Sequence, residues 1–400
     1  VMKIVVLLSR IPYPLEKGDK LRAYHQIKDL SKNHEIYLVA LNDKPIHPDA
    51  IDQLSPFCKE ILVLNLSIWS QFIGLVYAFF KGIPLQCGYF YSKKAHHRFI
   101  EFVNRIQPDH IYCQIVRVVE YVKGLTYPKT LDYQDVFSKG MQRRCENGSF
   151  MAKPLFWMEY RRLLKYEKFA FSIFDHHTII TGVDRDLIPH PEHFKIEVIA
   201  NGVDFEKYKV HQSPKEFDLI FSGNMSYPPN IDAAEFIAKQ IFPQLKKEFP
   251  ELKLVICGAS PTPKVLSLSG NGITVTGWVD SMVEYYAKSK IFIAPMRMGT
   301  GLQNKLIEAM AMKLPCVTST LAGRPLVGIQ NGQDIVICET LSGYIEAIKM
   351  LLTNTELYQT IAKNGHKFVK ENYNWETINA QLEKIITGQT KYKINYEKKI

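Results

Sequence analysis

Apolar positions along this chain fall into two alternating periods. Short β-branched runs, Lys3–Leu8 and Phe217–Ser222 among them, lead into a loop and then into a helical pattern. "LRAYHQIKDLSKNH" follows the first run and "IDAAEFIAKQIFPQL" the second. Further strand-like runs, "EIYLVAL", "HTIIT", "KLVICG", "GITVTG", "IFIAP" and "CVTST", are separated by helical segments. Repeated βα units predict parallel sheets covered on both faces, here an α/β chain of two Rossmann-like doubly wound domains. The expected limits are 1–205 for the first domain, 206–216 for a charged, proline-containing linker, 217–375 for the second domain, and 376–400 for a terminal helix and charged tail. Ligands of open parallel sheets sit beyond the carboxyl ends of the strands, so an interdomain cleft is expected. Loops at 10–20, 132–139, 222–230, 258–262 and 297–305 would line it, although any one of them taken alone reads better as an ordinary turn.

One stretch departs from plain amphipathic patterning. In "GTGLQNKLIEAMAMKLPCVTS", residues 299–319, Leu302, Leu306, Ala309 and Met310 share one helical stripe. Gly301, Asn304, Lys305 and Glu308 fall on the opposite flank, but Ile307, Ala311 and Met312 make that flank largely apolar too. The helix should therefore be mostly buried. An ammonium and a carboxylate on a buried helix need partners, because unpaired burial costs several kcal/mol.

Composition narrows the setting. A chain of 400 residues, 46% hydrophobic and 22% charged, is globular and long enough for two domains. No apolar run is long enough to span a bilayer, and "VMKIVVLLSR" reads as a buried strand rather than a signal peptide. Seven cysteines without C-x-x-C spacing predict neither a disulfide framework nor a zinc site, and so a reducing cytoplasm. The sequons at Asn65, Asn147 and Asn224 are then chance matches. The net charge of +10 suits an anionic partner, meaning a phosphorylated ligand or a membrane surface, or simply a lysine-rich solvated exterior. No nucleic-acid-binding signature accompanies it.

The segment "TGLQNKLIEAMAMKLPCV" resembles the nucleotide-sugar site of family 4 glycosyltransferases, which have the two-domain GT-B fold. "RIPYPLEKGDKLRAYHQIKDLSKNHEIYLVAL", "LDYQDVFSKGM", "IANGVD" and "GNMSYPPNIDAAEF" resemble a bacterial exopolysaccharide-associated subgroup over nearly the whole chain. The family's motif is E-x7-E; Glu308 matches its second glutamate, and Thr300 replaces the first. The resemblance implies that Glu308 accepts hydrogen bonds from ribose hydroxyls and that Lys305 meets the diphosphate. Backbone N–H groups of Gly301, Leu302 and Gln303 would add partial positive charge there, and Arg297 would complete the clamp. The bland alternative for Lys305 and Glu308 is an internal helix pair. The loss of the first glutamate leaves the donor-sugar contact at Thr300 open.

The loop "GNMSYPPN" carries Asn224 where relatives have cations, which shifts the diphosphate burden towards Arg297 and Lys305. In "LDYQDVFSKG", Asp135 matches the aspartate of the family's His-Asp pair and Gln134 stands in for the histidine. Asp132 and Asp135 are therefore candidate catalytic acids; the alternative is that one of them caps the following turn. Gly18, in the "KGD" loop, would allow close backbone approach to the phosphates and acceptor, or simply form a turn. Trp278 and Val279 match the backbone that meets the nucleobase, unless Trp278 is a core aromatic.

Three further signals carry less. "GTG" at 299–301 is not a dinucleotide fingerprint. Asp184 of "DRD" reads as a helix cap rather than half of a metal-binding pair. The histidines show no ligand spacing. The aromatic stretch 68–94 and the later basic segment "RRLLKYEKFAF" suit a peripheral membrane contact receiving a lipid-linked acceptor, although core packing would explain the aromatics equally well.

The expected protein is a retaining, metal-independent hexosyltransferase. It would use a UDP- or GDP-type nucleotide sugar as substrate, a saccharide or lipid-linked acceptor, and no cofactor. Its expected place is the cytoplasm, on the inner face of the cytoplasmic membrane. The alternatives are a nucleotide-sugar epimerase on the same fold or a catalytically weak nucleotide-sugar-binding protein.

Overall fold

The computed structural model describes residues 1–15, 17–147, 150–299 and 301–389. The chain divides into two compact units. One comprises Val1–Ala200 and Ile378–Ile400, the other Asn201–Thr377. The segment 206–216, expected as a linker, therefore runs within the second unit, and the last helix, Trp375–Ile386, ends in the first.

The first unit holds a seven-stranded parallel sheet. Its strands are β1 (Lys3–Leu8), β2 (Glu35–Asn42), β3 (Glu60–Asn65), β4 (His110–Gln114), β5 (Lys129–Asp132), β6 (His176–Ile179) and β7 (Glu197–Val198), in the order β3-β2-β1-β4-β5-β6-β7. β4 and β5 are buried along their whole length, as expected of central strands covered on both faces. Asn379 on the last helix donates to the Asp29 carboxylate over 2.7 Å and to the His25 carbonyl over 3.1 Å, which fixes that helix against Gly18–Leu30.

The second unit holds six parallel strands: β8 (Phe217–Ser222), β9 (Leu254–Cys257), β10 (Ile273–Gly277), β11 (Ser289–Ala294), β12 (Cys316–Ser319) and β13 (Val336–Cys338). Their order is β10-β9-β8-β11-β12-β13. Each sheet reverses its winding direction once, between β1 and β4 in the first and between β8 and β11 in the second. The crevice outside the carboxyl ends at such a point is where open α/β sheets take ligands. Both units are thus doubly wound Rossmann-like domains, as the pattern predicts. Among the described residues, no helix is long and apolar enough to cross a membrane.

Candidate active site

The second unit's switch point gathers most of the expected residues. β8 ends at Ser222 and β11 at Ala294; the loop after β11 runs to Gln303, which opens the helix Asn304–Ala311 without a side-chain cap. Leu306, Ile307, Ala309, Met310 and Ala311 are fully buried, so apolar packing sets the helix's roll and fixes where Lys305 and Glu308 point.

Lys305 is half-buried. Its Nζ donates to Asn230 Oδ1 over 2.5 Å, lies 3.8 Å from Met296 Sδ, and sits 4.8 Å above the centre of the Phe221 ring. Burial among these neutral groups lowers its pKa to about 7, with Glu308 acting in the opposite direction. Asn230 is oriented in turn, its Nδ2 donating to the Asn224 carbonyl over 2.9 Å. A side chain on Gly223 would come within 2.7 Å of that amide nitrogen, so glycine is needed where β8 ends.

Glu308 takes its partners from outside the helix. Tyr286 donates to its Oε2 over 3.3 Å, and Tyr208 also hydrogen-bonds the carboxylate. Burial raises the Glu308 pKa, while both tyrosines, Lys207 and Lys305 pull it back. Tyr286 is also bonded to Ser222 at the end of β8, 2.9 Å apart. Tyr208 is presented by a turn in which Asp204 Oδ1 accepts the N–H groups of Glu206 and Lys207. The hydrogen-bond partners named for the two charged groups are thus neutral, while Lys207 and Lys305 act on the Glu308 carboxylate by charge alone.

The other expected positions divide. Arg297 does not stand ready as a free clamp: it makes a two-pronged ion pair with Asp232, at 3.0 and 2.6 Å, and lies over the Phe236 ring. Asp232, four residues into the helix Pro228–Phe236, gave no sign of that role in the sequence. Asn224 is exposed, its Oδ1 accepting from the Ser226 backbone and hydroxyl. Gly301 has a φ of 79°, a left-handed conformation that glycine adopts freely and that turns the loop into Leu302, Gln303 and the helix. Trp278 is exposed rather than a core aromatic, with half-buried Val279 beside it. Thr300 lies outside the described residues.

In the first unit, Asp132 must be reassigned. It is fully buried at the end of β5 and engages Arg22, also fully buried, at 2.6 and 3.2 Å. Thr178 donates to its Oδ1 and Tyr112 to its Oδ2. A carboxylate so occupied is a structural anchor, and Arg22 passes the link on to the Ala200 carbonyl. The sequence places an arginine at the core-facing register of an amphipathic helix, the one signal that could have revealed the pair. Asp135 is exposed, and its Oδ1 accepts from the neighbouring Val136 N–H, 2.7 Å away. It follows Gln134, whose φ of 62° and buried, unbonded Nε2 mark a strained turn. Gly18 opens the helix Gly18–Leu30, where a side chain would meet nothing within 4 Å, so no steric constraint demands glycine there.

The "DRD" signal at 184–186 resolves as part of a helix cap. Thr181, not Asp184, is the helix N-cap; Asp184 returns the bond from the third helical position, with its pKa raised by burial to about 6. Asp186 faces Arg185 instead. Among the described residues, no three His, Cys, Asp or Glu side chains gather as a metal-holding group.

Comparison with known proteins adds relatives in sequence and in fold. The family described as Glycosyl transferases group 1 matches residues 216–354, which include Lys305, Glu308, Asn230 and Tyr286 but not Tyr208. An uncharacterised 44.6 kDa protein in the cps region of Klebsiella pneumoniae is 25% identical, the match covering 96% of this chain and 99% of that protein. The capsular polysaccharide biosynthesis glycosyltransferase CapM of Staphylococcus aureus is also 25% identical, over 46% of this chain and 52% of CapM. Anabaena HepE, solved in complex with UDP and glucose, superposes with a TM-score of 0.69 at 12% identity, covering 97% of this chain and 100% of HepE. Residues 216–354 thus match the model described as Glycosyl transferases group 1, and the chain has the two-domain GT-B fold of solved glycosyltransferase structures.

Proposed function

We propose that the chain is a retaining, metal-independent glycosyltransferase of family 4 type. It would transfer a hexosyl group from a nucleoside-diphosphate sugar to a saccharide or lipid-linked acceptor in bacterial polysaccharide synthesis. The observation that carries this reading is the placement of Lys305 and Glu308. A cation and a carboxylate stand one turn apart at the sheet's switch point, each held by neutral partners. The carboxylate retains lone pairs for two ribose hydroxyls. The ammonium and the uncapped helix start supply positive charge for a diphosphate. The family match over 216–354 and the UDP complex of the similar HepE support the same assignment.

In this reading the bond between the anomeric carbon and the diphosphate oxygen breaks as the acceptor oxygen bonds to the same face of the sugar. The acceptor's proton passes to the departing phosphate oxygen. The protein's task is to stabilise the charge growing on that diphosphate before it departs. Lys305 bears most of it, because Asp232 already neutralises Arg297. Asn224, Gly301, Leu302 and Gln303 line the phosphate side, Trp278 and Val279 the base. Asp135 and Gly18 belong to the sugar and acceptor side, carried by the first unit.

A thermal-shift screen against UDP, GDP, ADP, CMP and their sugars tests the assignment, since a ligand that binds only the native state raises its stability by mass action. One nucleoside diphosphate should raise the melting temperature well beyond the others, and slow release of that nucleotide from its sugar would separate an enzyme from a mere binder. No shift with any of them would refute the proposal.

A further inference from the structure

Glu167 holds both ends of the turn that carries Asp135. The helix Phe137–Asn147 begins after Val136, whose side chain has no acceptor for the first N–H groups of a helix. The acceptor comes instead from the helix Lys153–Ile173. Glu167 Oε1 accepts the Ser138 N–H over 3.0 Å, its Oε2 accepts the Ser138 hydroxyl over 2.6 Å, and the Phe137 N–H also bonds the carboxylate. On the other side of the turn, the Tyr133 hydroxyl donates to the Glu167 carbonyl over 3.0 Å. Tyr133, Ser138 and Glu167 are all fully buried, so water does not compete for these bonds.

The backbone between these ties is strained. Gln134 has a φ of 62°, and the Asp135 N–H closes back on the Tyr133 carbonyl over 2.8 Å. Such a conformation persists only where its surroundings over-determine it. Val136 is buried and the Arg117 guanidinium lies 5.0 Å over the Phe137 ring, so the residues after the turn are packed in place as well. Asp135 is the one exposed residue of the segment 133–138. Burial pushes the Glu167 pKa up to about 7 against the pull of the Ser138 and Phe137 bonds, and Asp135 adds to the rise. Tyr133 and Cys87 also face this carboxyl, and burial keeps both of them neutral. The grip on Ser138 and Phe137 is therefore strongest when Glu167 is ionised, because charged acceptors make the stronger hydrogen bonds.

We propose that Glu167 is the positioning residue for Asp135, fixing the turn from both sides and so setting where the exposed carboxylate stands during transfer. The claim rests on the transferase reading, which assigns Asp135 to the sugar side. Steady-state kinetics across pH tests it on the natural chain, Glu167→Gln, Tyr133→Phe and Asp135→Asn. Glu167→Gln and Tyr133→Phe should each lower kcat roughly tenfold, as small misplacements of a reacting group do. Donor KM should not change, because the nucleotide-binding residues belong to the second unit. At saturating donor, kcat of the natural chain should fall as pH drops through about 7, where Glu167 takes up its proton. That acid limb should be absent from Glu167→Gln, which is neutral throughout. A cap that only supports the fold would lower the melting temperature without removing the limb or separating kcat from KM. Tyr133→Phe removes the upstream tie alone, so it tests the clamp even where the buried charge does not tolerate replacement. Unchanged kcat in both clamp variants, or an acid limb that persists in Glu167→Gln, beside an impaired Asp135→Asn, would overturn the proposal and leave the transferase reading standing. Normal turnover in Asp135→Asn would remove that residue from the reaction, and this proposal with it.

Discussion

The ammonium of Lys305 donates to the side-chain oxygen of Asn230 over 2.5 Å. The hydrogen-bond acceptor of this cation is thus a neutral amide, itself steered by the Asn224 carbonyl. A lysine in that setting is costly to the ligand-free fold and well matched to an arriving diphosphate. Lys305→Ala should lower kcat by roughly two to three decades, as loss of a preorganised charge-stabilising donor does. Arg297→Ala should cost far less, because its charge is already spent on Asp232. Steady-state kinetics on the two variants checks the ranking; equal losses would contradict it.

Replacing the same lysine should stabilise the empty protein. Lys305→Met keeps the aliphatic stem over Phe221 and removes the desolvated charge, so unfolding free energy should rise by about 1–3 kcal/mol while nucleotide binding collapses. Denaturant melts of the two chains without ligand decide this.

Lys305 also sets a pH dependence. Burial brings its pKa down from the ordinary 10.5 to about 7, so between those values the unfolded chain holds a proton that the native chain has released. This group's contribution to stability therefore rises with pH across that window. A bound diphosphate favours the charged form, so binding takes up a proton and affinity should fall above pH 7 by at most about tenfold per pH unit. Calorimetry at pH 6.5, 7.5 and 8.5, from about half a unit below to about 1.5 units above that pKa, should show the decline in the natural chain and none in Lys305→Met.

The two aspartates of the first unit should separate cleanly. Asp132→Asn breaks a fully buried ion pair, so Arg22 loses its countercharge and stability should fall by about 3–5 kcal/mol. Asp135→Asn alters an exposed side chain and should leave melting unchanged while reducing transfer more than nucleotide binding. Normal turnover in Asp135→Asn would reduce that residue to a local cap of the turn at Val136.

These outcomes trace what the sequence makes legible. Alternating βα periods identify two doubly wound units, because central parallel strands such as β1 and β8 are continuous apolar runs. The short outer strands β7 and β13 carry too few residues to show a period. Lys305 and Glu308 stand out because charge on a buried helix is rare. Their partners do not, since Tyr208 lies in a segment whose charge and proline read as a linker, and Tyr286 looks like any apolar helix position. Asp132 misleads for the converse reason: a carboxylate at a strand end has the same sequence appearance whether it faces substrate or a buried arginine 110 positions earlier. Long-range pairing is the information a single chain's local pattern lacks.

The central claim is that Glu308 and Lys305 hold a nucleoside diphosphate without a metal. Titration calorimetry with UDP and GDP in excess EDTA, on the natural chain and on Glu308→Gln, tests it most directly. Charge-assisted hydrogen bonds contribute ~1.5–3 kcal/mol, so the account predicts binding of one nucleotide to the natural chain and a roughly ten- to hundredfold loss in the variant, which keeps its fold. Equal affinity in the two chains, or binding that appears only when magnesium or manganese is restored, would contradict it.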